Sequence, residues 1–133
     1  MIAGGCACGR VRYESTGEAE FSVICHCRDC QRASGTAGVP VMGVPRSGFR
    51  VTGDPAKYVS RGGSGQDAIR HFCPHCGSLL FGAPQVIPDT ITIYVGSLDD
   101  PSVFKPDLAM FTRDRPQWGR LSGELVEVET APE

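Results

Sequence analysis

The chain has 133 residues, a length that suits one domain rather than two. Only 41% of them are hydrophobic, and 17 glycines and 10 prolines make the chain rich in turns, so bound metal would help to hold so modest a core. A net charge of −2 without a run of Lys or Arg argues against a nucleic-acid binder, and no apolar stretch is long enough for a membrane span.

The opening Met1-Ile2-Ala3-Gly4-Gly5 has neither the charged nor the apolar region of a secretory signal. The expected location is therefore cytoplasmic, where thiols stay reduced. Cys6 and Cys8 follow as a C-x-C. Val11 and Tyr13 alternate with Arg10, Arg12 and Glu14, the pattern of a half-buried strand. Phe21, Val23 and Cys25 share one face of the next strand. Arg28–Ser34 predicts a helix of about two turns, ended by Gly35. Residues 38–44 are an apolar run broken by Pro40 and Gly43. Phe49–Thr52 reads as a strand that ends at the turn Gly53-Asp54-Pro55. Lys57-Tyr58-Val59 and residues 68–72 read as further strands, separated by the Gly62-Gly63-Ser64-Gly65 loop. Residues 90–95 are the strongest strand signal, β-branched at almost every position. The acidic tail after Leu121 has a weak strand-like alternation at Leu125-Val126-Glu127-Val128. Many short strands with turn signals predict an all-β fold of small packed sheets. One domain over residues 1–120 and a tail over residues 121–133 is the expected organisation.

The seven cysteines carry the chemistry. An odd number leaves one thiol over in any disulfide framework, and pairs this close in sequence are better chelating arms than disulfide partners. A closed structural zinc takes four ligands, and two cysteine pairs distant in sequence are the usual way to build one. Cys6 and Cys8 with Cys73 and Cys76 is the economical division. Gly9 and Gly77, each following a cysteine, suit tight knuckle turns. Cys25, Cys27 and Cys30 remain, with the first two near a strand end and the third in the first turn of the helix. Three ligands leave a vacant fourth position, the mark of a catalytic or substrate-binding zinc. The rival division would place Cys25 or Cys30 in the closed site.

Three segments resemble one family. Gly5-Cys6-Ala7-Cys8-Gly9-Arg10-Val11-Arg12-Tyr13 is similar to its opening G-x-C-x-C-G-x-V-x-Y. Cys25-His26-Cys27-Arg28-Asp29-Cys30-Gln31-Arg32 is similar to its central C-H-C-x-x-C-x-R. Phe72-Cys73-Pro74-His75-Cys76-Gly77-Ser78-Leu79-Leu80 is similar to its F-C-x-x-C-G-x-x-L. The family is that of the glutathione-dependent formaldehyde-activating enzymes, with its centromere protein V branch. The resemblance implies an Mss4-like fold of several small coiled antiparallel β-sheets. It also implies a structural zinc on Cys6, Cys8, Cys73 and Cys76 and a catalytic zinc on Cys25, Cys27 and Cys30, two per chain. The implied activity is a carbon–sulfur lyase that reversibly joins glutathione to formaldehyde. In one place the chain departs from the family pattern. Ala109 stands where relatives often carry a His before the late Trp, here Trp118.

A zinc bound by three thiolates is a weaker Lewis acid than one bound by imidazoles. It suits holding a thiolate or polarising a small carbonyl better than making hydroxide. Because glutathione is anionic, Arg28 and Arg32 beside Cys30, and Arg113, Arg115 and Arg120 around Trp118, are candidate substrate contacts; the bland alternative is that they are solvated surface groups. His26 lies between two ligands, and strand alternation turns it away from their metal. Orienting a loop suits it better than acid–base work, although it too is a possible substrate contact. His75 is expected to be exposed, and Trp118 to be a core or lid residue. The other function classes in view are a non-catalytic zinc-stabilised binding module and a thiol-based redox or metal sensor.

Overall fold

The structure is a computed structural model that describes residues 1–62, 65–120 and 125–131. Its strands are β1 (Ile2–Gly5), β2 (Arg12–Ser15), β3 (Phe21–Cys25), β4 (Val39–Pro45), β5 (Phe49–Thr52), β6 (Ala56–Arg61), β7 (Asp67–Phe72), β8 (Leu79–Gly82), β9 (Thr90–Tyr94) and β10 (Leu108–Met110). A single α-helix among the described residues, α1 (Arg28–Ser34), follows β3. Short 3-10 turns at Val95–Ser97, Pro101–Val103, Thr112–Asp114 and Gln117–Gly119 fill the last third of the chain. Among the described residues, no helix is long and apolar enough to cross a membrane.

The strands form two sheets, one of three strands in the order β1-β2-β5 and one of seven in the order β10-β3-β4-β9-β8-β7-β6. The fold is all-β, as the alternation predicts. It has one large sheet and one small one rather than several small ones. Neighbouring strands are antiparallel except β10, which runs parallel to β3. β10 is thereby also parallel to β9, and residues 95–107 make the long crossover between them, carrying the chain from the sheet centre to its edge.

Burial follows position in the sheet. On β2, Tyr13 and Ser15 are buried while Arg12 and Glu14 are exposed. β9, flanked on both sides, is buried at four of its five positions, whereas edge strand β6 is mostly exposed. One face of the large sheet presents Met42, Val44, Phe81, Ile91 and Ile93 to Val11 and Tyr13 of the small sheet, which makes the main core. Leu80, Ile93 and Val44 are fully buried, each worth roughly 1.5–3 kcal/mol of burial. Tyr13 stacks on Phe49 at 5.6 Å, and Phe81 meets both rings edge-on at 6.0 and 5.0 Å. The opposite face carries a second, smaller cluster of Val23, Cys25, Val39, Val41 and Tyr94 with Cys30 of α1.

Three strands lie outside the sequence expectation: β1, β8 and β10. The strand-like alternation at Leu125-Val126-Glu127-Val128 forms no strand; the segment is exposed, so its apolar residues gain no burial that would hold it extended. Gly63 and Ser64 of the glycine loop, residues 121–124 of the tail and its last two residues lie outside the described residues.

Candidate functional site

The first cysteine group sits between the sheets. The turn from β1 to β2 carries Cys6 and Cys8, and the turn from β7 to β8 carries Cys73 and Cys76. The four sulfurs lie within 4.8 Å of one another. Cys6 Sγ is 3.6 Å from Cys8 Sγ, which is 3.7 Å from Cys73 Sγ. A zinc tetrahedron with Zn–S bonds of about 2.3 Å has sulfur–sulfur edges of roughly 3.8 Å, so this donor set fits the ion. Gly9 and Gly77 turn the two knuckles with φ of 81° and 76°, a region that side chains with a Cβ rarely adopt. The Val11 amide donates to Cys6 Sγ at 3.2 Å. Ser78, which the sequence reading passed over, links the knuckles: its Oγ accepts from the Ala7 amide at 3.0 Å and lies 3.2 Å from Cys76 Sγ. The Ser78 hydroxyl and amide hold the Cys76 thiol down at about 5.

The second group is on the other face of the large sheet. β3 ends at Cys25, Cys27 caps α1, and Cys30 lies in its first turn; their sulfurs are also within 4.8 Å of one another. Cys30 Sγ is 3.4 Å from Cys25 Sγ, and Cys27 Sγ accepts from the Cys30 amide at 3.3 Å. The three thiols compete for one negative charge. Hydrogen bonds from Cys25 and then Cys30 push the Cys27 thiol down to about 2, while the Cys30 thiol is pushed up by Cys25, then Cys27, and by burial. A divalent cation would replace the shared protons, so this set of three also fits a metal. All seven cysteines are free thiols.

The triad lies on the floor of a cavity of about 710 Å³. Strand register builds the wall. Leu108, Val23, Val41 and Tyr94 are successive cross-strand neighbours on β10, β3, β4 and β9, and Phe21, Thr92, Gly82 and Arg70 line the next stretch. Arg70 of β7 reaches the triad, with Nη2 3.8 Å from Cys30 Sγ and Nη1 3.5 Å from Ser60 Oγ. Its Nε is buried without a hydrogen-bond partner among the described residues. Burial would lower the Arg70 pKa, but Tyr94 and Cys30 outweigh it and raise it, so the guanidinium stays charged. Burial pushes the Tyr94 phenol up to about 12, with the Arg70 charge acting against it. Neither residue is singled out by motif spacing. The one sequence signal is a charged Arg70 inside an otherwise half-buried strand.

The predicted contacts are placed differently from one another. Arg28 lines the cavity and donates from Nη1 to Gln31 Oε1. Arg32 is exposed and is not among the lining residues. His26 is buried, with Nδ1 2.8 Å from the Ala37 carbonyl, and it does not line the cavity. Arg113 lines the rim, 3.9 Å from Asp114. His75 is exposed. Trp118 is 66% exposed and therefore not a core residue, because a 3-10 turn carries it out to the surface. Leu108 and Met110 line the cavity while Ala109 between them does not, as strand alternation requires. The missing family His thus falls on the face of β10 turned away from the cavity.

Residues 1–114 match the model of the glutathione-dependent formaldehyde-activating enzyme family. The chain belongs to this family. Among solved structures, a Rhodobacter sphaeroides protein is similar in fold, with a TM-score of 0.62 and 23% identity over 81% of this chain and 99% of that one. No curated protein matches the chain. For this member of the formaldehyde-activating family, the two cysteine clusters are the groups able to hold metal among the described residues.

Proposed function

We propose that the protein is a zinc-dependent carbon–sulfur lyase of the S-hydroxymethylglutathione synthase type. It reversibly joins a thiol such as glutathione to formaldehyde or a similar small carbonyl. The observation that carries this reading is the convergence of Cys25, Cys27 and Cys30 on the floor of a cavity, with the Arg70 guanidinium beside them. Family membership supports it. The four-cysteine group would hold a structural zinc and the triad a catalytic one, two per chain, and the seven free thiols suit a cytoplasmic location.

When bound at the triad, zinc would supply a fourth position for the substrate's sulfur or carbonyl oxygen and would stabilise the charge on it. In the joining direction the S–H bond breaks, sulfur bonds to the carbonyl carbon, the C=O π pair moves onto oxygen, and that oxygen takes up the proton. Arg70 offers a fixed cation and an unpaired Nε–H to the developing oxyanion. Tyr94 keeps its Oη proton at neutral pH, because its pKa is held near 12, and donates a hydrogen bond to the same oxygen. Cleavage runs these events in reverse.

The test is zinc content together with turnover, for the wild type and Cys27→Ser, using formaldehyde and several thiols with the uncatalysed rate subtracted. Two zincs in the wild type, one in the variant, and thiol-dependent turnover lost in the variant are the expected results. One zinc in the wild type and no turnover with any thiol would overturn the reading.

A further inference from the structure

The lyase reading does not account for the cavity wall. Formaldehyde has no substituent, and beyond its sulfur glutathione is amides, two carboxylates and an ammonium group. The wall beside the triad is hydrocarbon at Val23, Val41, Leu108, Met110 and Phe111. Amides and carboxylates pressed against it would lose hydration without gaining partners. Each cation at the cavity already has a protein contact, and the open Nε–H of Arg70 serves the oxyanion rather than a carboxylate. Arg70 contacts Cys30 and Ser60, Arg28 donates to Gln31, and Arg113 lies beside Asp114. Asp29, Asp67 and Asp114 also line the cavity and repel further carboxylates. Phe111 adds an independent sign. It is the one non-glycine residue with positive φ, at 55°, among the described residues. That conformation costs free energy in a residue with a Cβ, and such strain clusters at ligand clamps.

We propose that the substrate is a thiol–aldehyde adduct carrying an aliphatic chain or aromatic ring next to the carbon–sulfur bond, seated on Leu108, Val23 and Val41 and against Phe111. The inference rests on the lyase reading for its sulfur and carbonyl chemistry and adds the class of the substituent. The substituent arrives with the aldehyde or with the thiol; the recognition is the same.

Calorimetric titration of the zinc-loaded protein with straight-chain thiols from ethanethiol to hexanethiol measures the wall directly. Each added methylene that enters it tightens binding by up to about fourfold. Phe111→Gly and Leu108→Ser weaken that increment while zinc content and Tm stay near wild type. In parallel, kcat/KM is compared for hexanal with glutathione, formaldehyde with hexanethiol, and formaldehyde with glutathione. A gain in the first pair assigns the substituent to the aldehyde and a gain in the second to the thiol, and either upholds the inference. A flat thiol series, or an increment that survives both variants, overturns it and leaves the lyase reading standing if glutathione and formaldehyde are turned over. An increment without turnover of any pair leaves an apolar thiol-binding site but overturns the lyase reading and, with it, the adduct as substrate.

Discussion

At the scale of single residues, Arg70 is the side chain that most distinguishes the triad from a structural thiol cluster. It is charged, half-buried, and within reach of Cys30 Sγ without being a ligand. Arg70→Met should lower kcat/KM by roughly 10²-fold, the usual loss for one preorganised donor to an oxyanion. Zinc content should be unchanged, and Arg70→Lys should recover part of the activity. Loss of zinc in parallel with activity would show that Arg70 holds the cysteines instead. His71 gives a pH prediction of a different kind. Its ring stacks on Phe81 at 4.5 Å, and burial lowers its pKa below the usual imidazole value. The charges of Lys57 and Arg46 act in the same direction, and a contact with the Phe81 backbone opposes them. The folded pKa is below the unfolded one, so in the window between them the unfolded chain binds more protons. The stability associated with a neutral His71 is therefore present above about pH 6.5 and is lost as pH falls from there towards the folded value. Urea unfolding between about pH 7.5 and 5.5 should show this slope, and His71→Phe should flatten it. Equal slopes in the two proteins would remove His71 as the cause.

At the scale of elements, α1 is too short to be stable alone and is fixed at both ends. Cys27 caps its start, and the Gly35 amide closes its end on the Gln31 carbonyl at 2.8 Å. Gln31 fastens it sideways: Nε2 donates to the His26 carbonyl at 2.8 Å and to the Asp114 carbonyl at 2.9 Å. Gln31→Ala should leave the buried His26 carbonyl unpaired and cost about 1–3 kcal/mol by chemical denaturation; a loss under about 0.5 kcal/mol would mean that water replaces the amide. This clasp also shows where the sequence stops being legible. The strands β2, β3, β4, β5, β6, β7 and β9 and the helix α1 could be read because their signals are local, in alternation, β-branching and a terminal glycine. β1 could not, because Gly4 and Gly5 erase its pattern. β10 could not, because three residues carry no period and are held by pairing with β3. The same division runs through the site. Cysteine spacing is local, so both thiol groups could be read from it. Gln31 meets Asp114 across 83 positions, Ser78 meets Ala7 across 71, and Arg70 meets Cys30 across 40. Contacts of that range are products of topology and leave no motif behind.

At the scale of the whole molecule, the two thiol groups differ in what they join. The four-cysteine group ties the β1–β2 turn of the small sheet to the β7–β8 turn of the large one, so it spans the two layers that enclose the main core. The triad ties the end of β3 to the helix that follows it directly, within one layer. Metal at the first group therefore closes a long loop in the unfolded chain and holds the layers together, whereas metal at the second closes a short one. Cys76→Ser should accordingly lower the stability of the metal-loaded protein by more than about 3 kcal/mol. Cys27→Ser should cost less than about 1 kcal/mol, because a serine hydroxyl still caps the helix. Chelators should divide along the same line. A weak one should strip the three-ligand site first, abolishing turnover while the near-ultraviolet circular dichroism and Tm stay close to their starting values. A strong one should then remove the second ion, and the two sheets should come apart in one cooperative transition. Release of both ions in a single step coincident with unfolding would contradict this order and would make the triad as structural as the clamp.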